Sequence, residues 1–169
     1  MSLKVGDIAP DFELYDTDFK LVRLKDLLGR GRLVILAFFP AAFSPTCTNE
    51  MCAFRDRIAI LEKANAIVVG ISVDSPFALR RFKEENRLGF PLLSDYNREV
   101  IRAYNVYHEQ FPVPKASRLK MVAKRSVFIL SPYEGKIEYV WVSDDPSKEP
   151  NYEEIVSIAN ELSRKLKLS

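Results

Sequence analysis

The chain has two cysteines, Cys47 and Cys52, and both lie in one short segment after a strongly apolar run. The run, residues 33–39, holds β-branched and aromatic residues without polar alternation, which is typical of a strand buried on both faces. Pro40 ends such a strand because it cannot donate a ladder hydrogen bond. We therefore expect thiol chemistry at the point where this strand gives way to the next element.

Ser44 and Pro45 predict the start of a helix, with Ser44 as the N-cap and Pro45 as the first helical residue. Cys47 then lies in the first turn, near unpaired backbone N–H groups and the positive end of the helix dipole. Such a position, with a cation nearby, lowers the pKa of a thiol from about 8.5 to between about 3.5 and 7.5. The pattern favours a reactive thiolate at Cys47; the alternative is a small buried cysteine that only fills space.

Cys52 follows Cys47 by five residues, which in a regular helix separates their Cα atoms by roughly 8.7 Å. A disulfide requires less than about 7 Å between Cα atoms. A bond between the two sulfurs therefore forms only if the first turns of the helix unwind. From the residues alone, a redox role for Cys52 and simple apolar packing on the inner helix face are equally good explanations.

The segment FFPAAFSPTCTNEMC resembles the active-site segment of peroxiredoxins, whose pattern Pro-x-x-x-(Thr/Ser)-x-x-Cys is met here by Pro40, Ser44 and Cys47. The spacing of the two cysteines is similar to that of the bacterioferritin-comigratory, or PrxQ, branch. The resemblance covers nearly the whole chain, from residues 5–12 at the start to residues 125–130 near the end. It implies a thioredoxin-like fold and an antioxidant enzyme of cell redox homeostasis.

The resemblance further implies a reaction cycle for the two cysteines. Cys47 would be the peroxidatic cysteine, which attacks hydrogen peroxide or an organic hydroperoxide and becomes a sulfenic acid. Cys52 would be the resolving cysteine, which forms an intramolecular disulfide with Cys47, and a thioredoxin-like dithiol reductant would reduce that bond. The alternatives are a one-cysteine peroxidase resolved by an external thiol, a thioredoxin-type disulfide oxidoreductase, and a non-enzymatic binding or chaperone module on the same fold.

Four further residues take site roles by the same resemblance. Arg125, just before a predicted strand, would stabilise the thiolate and hold the peroxide, since a guanidinium is always charged and has several fixed donors. Ser44 would bind the peroxide, Pro40 would shield the sulfur, and Glu50 would orient the arginine. The simpler alternatives are a rim charge for Arg125 and, for Glu50, a carboxylate that only favours the helix N-terminus.

Length and composition predict a single domain over residues 1–169. The net charge of +2, from 25 basic and 23 acidic residues, argues against nucleic-acid or membrane binding driven by bulk charge. Two cysteines in one segment do not form a secreted disulfide framework, so a reducing, cytoplasmic location is expected. No cofactor and no metal site is expected, and similar enzymes occur as monomers and as homodimers.

The elements that must position these residues alternate between strands and helices, which predicts an α/β fold with a central mixed sheet flanked by helices and an N-terminal β-hairpin. Residues 105–124 are irregular, and the lone histidine there, His108, is expected at the surface. Strands are predicted near 11–14, 21–24, 33–39, 67–73, 90–93, 126–130 and 137–142, and helices near 26–28, 45–64, 76–86, 97–104 and after Asn151.

Overall fold

The computed structural model describes residues 2–168, so the two end residues of the predicted domain lie outside it. The strands are β1 (Glu13–Asp16), β2 (Leu21–Arg23), β3 (Leu33–Phe38), β4 (Ala66–Ser72), β5 (Leu92–Ser94), β6 (Tyr107–His108), β7 (Val122–Ala123), β8 (Ser126–Leu130) and β9 (Ile137–Val142). The helices are α1 (Leu24–Leu28), α2 (Pro45–Asp56), α3 (Ile58–Lys63), α4 (Pro76–Glu85), α5 (Glu99–Ala103) and α6 (Tyr152–Lys165). No helix in this described range is both long and apolar enough to cross a bilayer.

Seven strands form one mixed sheet in the order β2-β1-β5-β4-β3-β8-β9. Strands β3, β4 and β5 are parallel, whereas β8 runs antiparallel to β3 and β9 antiparallel to β8. The β1–β2 hairpin extends the sheet at its other side by pairing antiparallel with β5. The predicted mixed sheet and N-terminal hairpin are therefore confirmed.

Strand β3 lies inside the sheet, and all six of its residues are buried. Alternate side chains enter two different cores, because successive residues of a strand point to opposite faces. Leu33, Ile35 and Ala37 face a core shared with α2, α3, α4 and α6. Val34, Leu36 and Phe38 face a core shared with α1 and α5. Burial on both faces explains why this strand is a continuous apolar run.

The helix predicted over residues 45–64 is interrupted, and that part of the prediction is wrong. Arg57 leaves the helical conformation, with φ −106° and ψ 6°, and separates α2 from α3. Its guanidinium donates to the carbonyl of Ala53 and to the carboxylate of Glu153 at the start of α6. The apolar spacing continues across the break, so the sequence pattern alone does not show it.

His108 is buried, with 6% of its surface exposed, so the predicted surface position is wrong. It lies in β6, which pairs with β7 in a small second sheet through His108 and Val122. The His108 ring also packs edge-on against Phe111, with centroids 5.6 Å apart. Strands of two residues are too short to show an alternation of polar and apolar residues, so the sequence does not predict them.

One edge of the main sheet gathers the segments that carry the candidate site residues. Phe38 at the end of β3 pairs with Ile71 of β4 and with Ser126 at the start of β8, and Ser126 in turn pairs with Val142 at the end of β9. The loops after β3, β4 and β9 and the residue before β8 therefore meet at this edge.

Candidate active site

Cys47 lies in the first turn of α2, as predicted. Ser44 occupies the N-cap position with an extended backbone, φ −72° and ψ 148°, and Pro45 is the first helical residue. The side chain of Cys47 is fully buried and packs in the core between the sheet and α2. Both Cys47 and Cys52 are free thiols.

Ser44 uses its side chain differently from a normal N-cap. Its hydroxyl makes no capping bond to α2 and instead donates to the carbonyl of Ala41 at 2.8 Å. A hydroxyl has one proton and two lone pairs. While that proton is held by Ala41, the Ser44 oxygen faces its other neighbours only as a hydrogen-bond acceptor.

Arg125 lies beside Cys47 and is fixed there by three contacts. Its Nη2 lies 3.3 Å from the Cys47 sulfur and 2.8 Å from the carbonyl oxygen of Pro146, to which it also donates. Its Nη1 donates to Glu50 Oε1 at 2.7 Å. The arginine side chain is 1% exposed, so the cation is held in a medium where its charge is weakly screened.

The pKa of the Cys47 thiol is raised above its ordinary value, contrary to the sequence prediction of a lowered one. Burial is the main cause, because it penalises the charged sulfur. The charge of Arg125 lowers the pKa, and the Ser44 hydroxyl and Ala41 backbone lower it further. The Ser44 contribution requires the hydroxyl to turn its proton from Ala41 to the sulfur. The sequence reasoning considered the helix end and a cation but not the depth of burial.

Glu50 competes with Cys47 for the same cation. It is fully buried, and burial raises its pKa to about 7 although Arg125 acts in the opposite direction. Its second oxygen, Oε2, has no hydrogen-bond partner among residues 2–168. Two buried acids therefore share one guanidinium, and their titrations are coupled. When Glu50 is protonated, the charge of Arg125 is available to the sulfur alone.

Pro40 and Cys52 lie at two ends of the same segment. Pro40 is buried immediately after β3 and before the loop that leads into α2. Cys52 is half-buried, and its sulfur lies 3.7 Å from Asn86 Oδ1, at the end of α4. In an intact regular helix the Cα atoms of Cys47 and Cys52 are roughly 8.7 Å apart, which is too far for a disulfide.

Sequence reasoning missed the Pro146 carbonyl, which helps to hold Arg125. A backbone oxygen in an irregular loop leaves no signal in residue types, and the contact joins positions 21 residues apart. Among residues 2–168, no three His, Cys, Asp or Glu side chains are grouped so that they could hold a metal ion.

Comparison with known proteins identifies relatives along nearly the whole chain. The chain is 38% identical over 154 residues to peroxiredoxin Bcp of Escherichia coli (strain K12), covering 91% of this chain and 93% of that protein. It is 39% identical over 141 residues to a putative peroxiredoxin of Coxiella burnetii, covering 83% and 89%.

Solved structures agree with the mixed sheet and its flanking helices. Peroxidoxin BcpB from Mycobacterium tuberculosis superposes with a TM-score of 0.82 at 31% identity, covering 95% of this chain and 98% of that one. A peroxiredoxin-like protein from Aquifex aeolicus gives a TM-score of 0.82 at 29% identity, covering 96% and 89%. The predicted thioredoxin-like fold is thus confirmed. Because the AhpC/TSA family profile also matches residues 5–140, the chain belongs to the AhpC/TSA family, among the peroxiredoxins.

Proposed function

We propose that this thiol peroxidase reduces hydroperoxides at Cys47 and resolves the product within the chain through Cys52. The observation that carries the proposal is the 3.3 Å contact between Arg125 Nη2 and the Cys47 sulfur, with the guanidinium held by Glu50 and Pro146. A buried cation fixed against a nucleophile is poised for charge that develops in a transition state, so it requires little reorganisation.

In the first step the Cys47 thiolate attacks the terminal oxygen of a hydroperoxide ROOH. The S–O bond forms as the O–O bond breaks, which oxidises the sulfur to a sulfenic acid and releases an alkoxide or hydroxide that takes up a proton. Arg125 and the Cys47 backbone N–H stabilise the negative charge as it moves onto the leaving oxygen. Ser44, whose proton is donated to Ala41, accepts the hydrogen bond of the peroxide OH. Pro40 narrows access to the sulfur.

In the second step the Cys52 thiol attacks the Cys47 sulfenic acid. A sulfur–sulfur bond forms and water leaves. This requires the first turns of α2 to unwind, because the intact helix holds the cysteines too far apart. A thioredoxin-like dithiol then reduces the disulfide, is itself oxidised, and returns both cysteines to thiols.

The setting of this cycle is also proposed. Two free thiols and a cycle that depends on an external dithiol suit a reducing compartment, and we place the protein in the cytoplasm. We assign the cycle to one domain spanning residues 1–169, because α6 packs into the same core as α2 and β3. The assembly that performs it is a monomer or a homodimer.

The experiment that tests the cycle is hydroperoxide consumption with a thioredoxin-like reductant by wild type, Cys47→Ser and Cys52→Ser. We expect Cys47→Ser to abolish turnover and Cys52→Ser to lose most of it while keeping one fast oxidation per chain. Full turnover by Cys52→Ser with the same reductant would remove Cys52 from the cycle. Turnover by Cys47→Ser would overturn the proposal as a whole.

One observation favours a second candidate function, a one-cysteine peroxidase resolved by an external thiol. The Cys52 sulfur contacts Asn86 of α4, at the side of α2 rather than at the Arg125 site. Under this candidate, Cys52→Ser turns over with small thiols as fast as wild type. Insulin reduction separates both peroxidases from a thioredoxin-type oxidoreductase, since only the latter precipitates insulin with a dithiol present.

A further inference from the structure

The geometry points to Asp74, which lies outside the group formed by Cys47, Arg125 and Glu50, as a positioning residue that holds the Cys47 loop in shape for peroxide reduction. The loop comprises residues 39–44, between β3 and α2. Asp74 follows the neighbouring parallel strand β4. This inference rests on the peroxidase function proposed above and adds a residue that acts through the loop without touching the substrate.

The carboxylate of Asp74 joins the sheet to this loop. Its Oδ2 accepts a hydrogen bond from the backbone N–H of Ala42 at 2.8 Å and from the Ser72 hydroxyl at 2.7 Å. Ser72 is a fully buried residue of β4, so the carboxylate is anchored in a rigid element. The backbone carbonyl of Asp74 also accepts from the Ser94 hydroxyl, 2.6 Å away, at the end of β5.

Fixing Ala42 also fixes the peptide group that orients Ser44. The Ala41–Ala42 peptide carries the Ala42 N–H on one side and the Ala41 carbonyl on the other. That carbonyl accepts from the Ser44 hydroxyl at 2.8 Å and from the Ser44 N–H at 3.4 Å. A rotation of this peptide would therefore turn the Ser44 oxygen away from the peroxide and move the Ala41 backbone relative to the sulfur.

The loop also contains strain that its surroundings must hold. Phe43 has φ 71°, in the left-handed region that a bulky side chain rarely adopts. Such a conformation persists only where neighbouring contacts over-determine it. Phe43 is half-exposed and packs edge-on against Phe82 of α4, with centroids 5.2 Å apart. The hydrogen bond from the Ala42 N–H to Asp74, one residue before Phe43, ties this segment to the end of β4.

The Asp74 side chain can accept from the loop because it does not cap the helix that follows it. The N-cap of α4 is Ser75, whose hydroxyl accepts from the N–H of Ala78. An acid just before a helix suggests capping from sequence alone, but here its side chain turns back to the Cys47 loop. Loss of the Asp74 carboxylate therefore leaves the α4 cap intact and removes the loop contact.

The test compares Asp74→Ala, Asp74→Asn and the control Asp26→Ala, which removes an exposed acid of α1 away from the loop, all in a Cys52→Ser background. Two rates are measured for Cys47: oxidation by hydrogen peroxide and alkylation by iodoacetamide, which needs an accessible thiolate but no peroxide geometry. We expect Asp74→Ala to slow oxidation by about tenfold or more, as small misplacements of reacting groups do, without slowing alkylation. Asp74→Asn keeps an amide oxygen that can accept both bonds, so it retains most of the rate. Asp26→Ala leaves the ratio of the two rates unchanged.

An Asp74→Ala protein that oxidises as fast as the active parent would overturn the inference and leave the peroxidase function standing. A parent protein that does not react with peroxide would instead refute the proposed function. If Asp74→Ala does not fold, as judged by circular dichroism, the same two rates are measured for Ser72→Ala instead. That variant loses one anchor of the carboxylate, so an unchanged ratio of oxidation to alkylation in it counts against the inference.

Discussion

At the scale of single residues, the site is a competition between two acids for one buried cation. Arg125 contacts both Glu50 and the Cys47 sulfur, and burial raises the pKa of each acid. A negative charge on Glu50 neutralises part of the field that would otherwise stabilise the thiolate. Glu50 therefore both orients Arg125 and limits how strongly Arg125 acts on sulfur.

Replacing Glu50 by Gln should lower the pKa of Cys47. The amide oxygen still accepts from Arg125 Nη1, but the competing negative charge is gone, so we expect a fall of about one unit. Absorbance of the thiolate at 240 nm, followed against pH in a Cys52→Ser background, measures it. Glu161→Gln, which removes an exposed acid of α6, is the control and should leave the value unchanged. A Cys47 pKa that rises or stays constant in Glu50→Gln would refute the competition.

At the scale of elements, the site depends on four segments that reach one edge of the sheet. Strand β3 leads into the Cys47 loop, β4 into Asp74, and β9 into the loop of Pro146, while Arg125 precedes β8. The apolar run of β3 and the Ser44-Pro45 start of α2 are local features, so the sequence predicted them correctly. Contacts between segments far apart in the chain are not local. Arg125 was placed beside Cys47 and Glu50 only through the family resemblance, and the contacts of Pro146 and Asp74 were missed.

Helix α2 is the element that must change during the proposed cycle. We expect formation of the Cys47–Cys52 disulfide to unwind its first two turns, because the helical spacing exceeds what a disulfide spans. Amide hydrogen exchange of the 45–52 segment, reduced against oxidised, should show a marked loss of protection, with α6 unaffected as the internal reference. Equal protection in a protein whose disulfide is verified by mass spectrometry would show that the helix bends rather than unwinds.

At the scale of the whole molecule, helices pack on both faces of a mixed sheet, and Glu50 and Arg125 are buried in the interior. Burying these charged groups lowers the stability of the folded protein. The alternation of strands and helices in the sequence predicted the sheet and its hairpin. The family resemblance predicted that Cys47, Arg125 and Glu50 are neighbours. It did not predict the sign of the Cys47 pKa shift or the break at Arg57, because both depend on burial and contacts that only the folded chain has.

Glu50 should make the stability of the folded protein fall as pH rises. Its pKa is about 7 in the folded state against an ordinary 4.5, so the folded protein holds an extra proton between these values. The unfolded state binds fewer protons there, and the free energy of unfolding therefore decreases from about pH 4.5 to about pH 7, by on the order of 3 kcal/mol. Urea unfolding of reduced wild type and Glu50→Gln at pH 5 and pH 8 measures this. A difference between the two proteins that does not change with pH would contradict the assignment.

The central claim is that Arg125, held against the Cys47 sulfur, provides the charge stabilisation for peroxide reduction. The most direct test is the second-order rate constant of Cys47 oxidation by hydrogen peroxide in wild type, Arg125→Lys and Arg125→Ala. Stopped-flow fluorescence of the single tryptophan, Trp141, follows the reaction, because this residue packs against the core that contains Cys47. We expect the rate constant of Arg125→Ala to be about 100-fold or more below that of wild type, because a fixed donor to the transition state is removed. The rate constant of Arg125→Lys should lie between those of wild type and Arg125→Ala. A folded Arg125→Ala protein that is oxidised within a few-fold of the wild-type rate would contradict the claim.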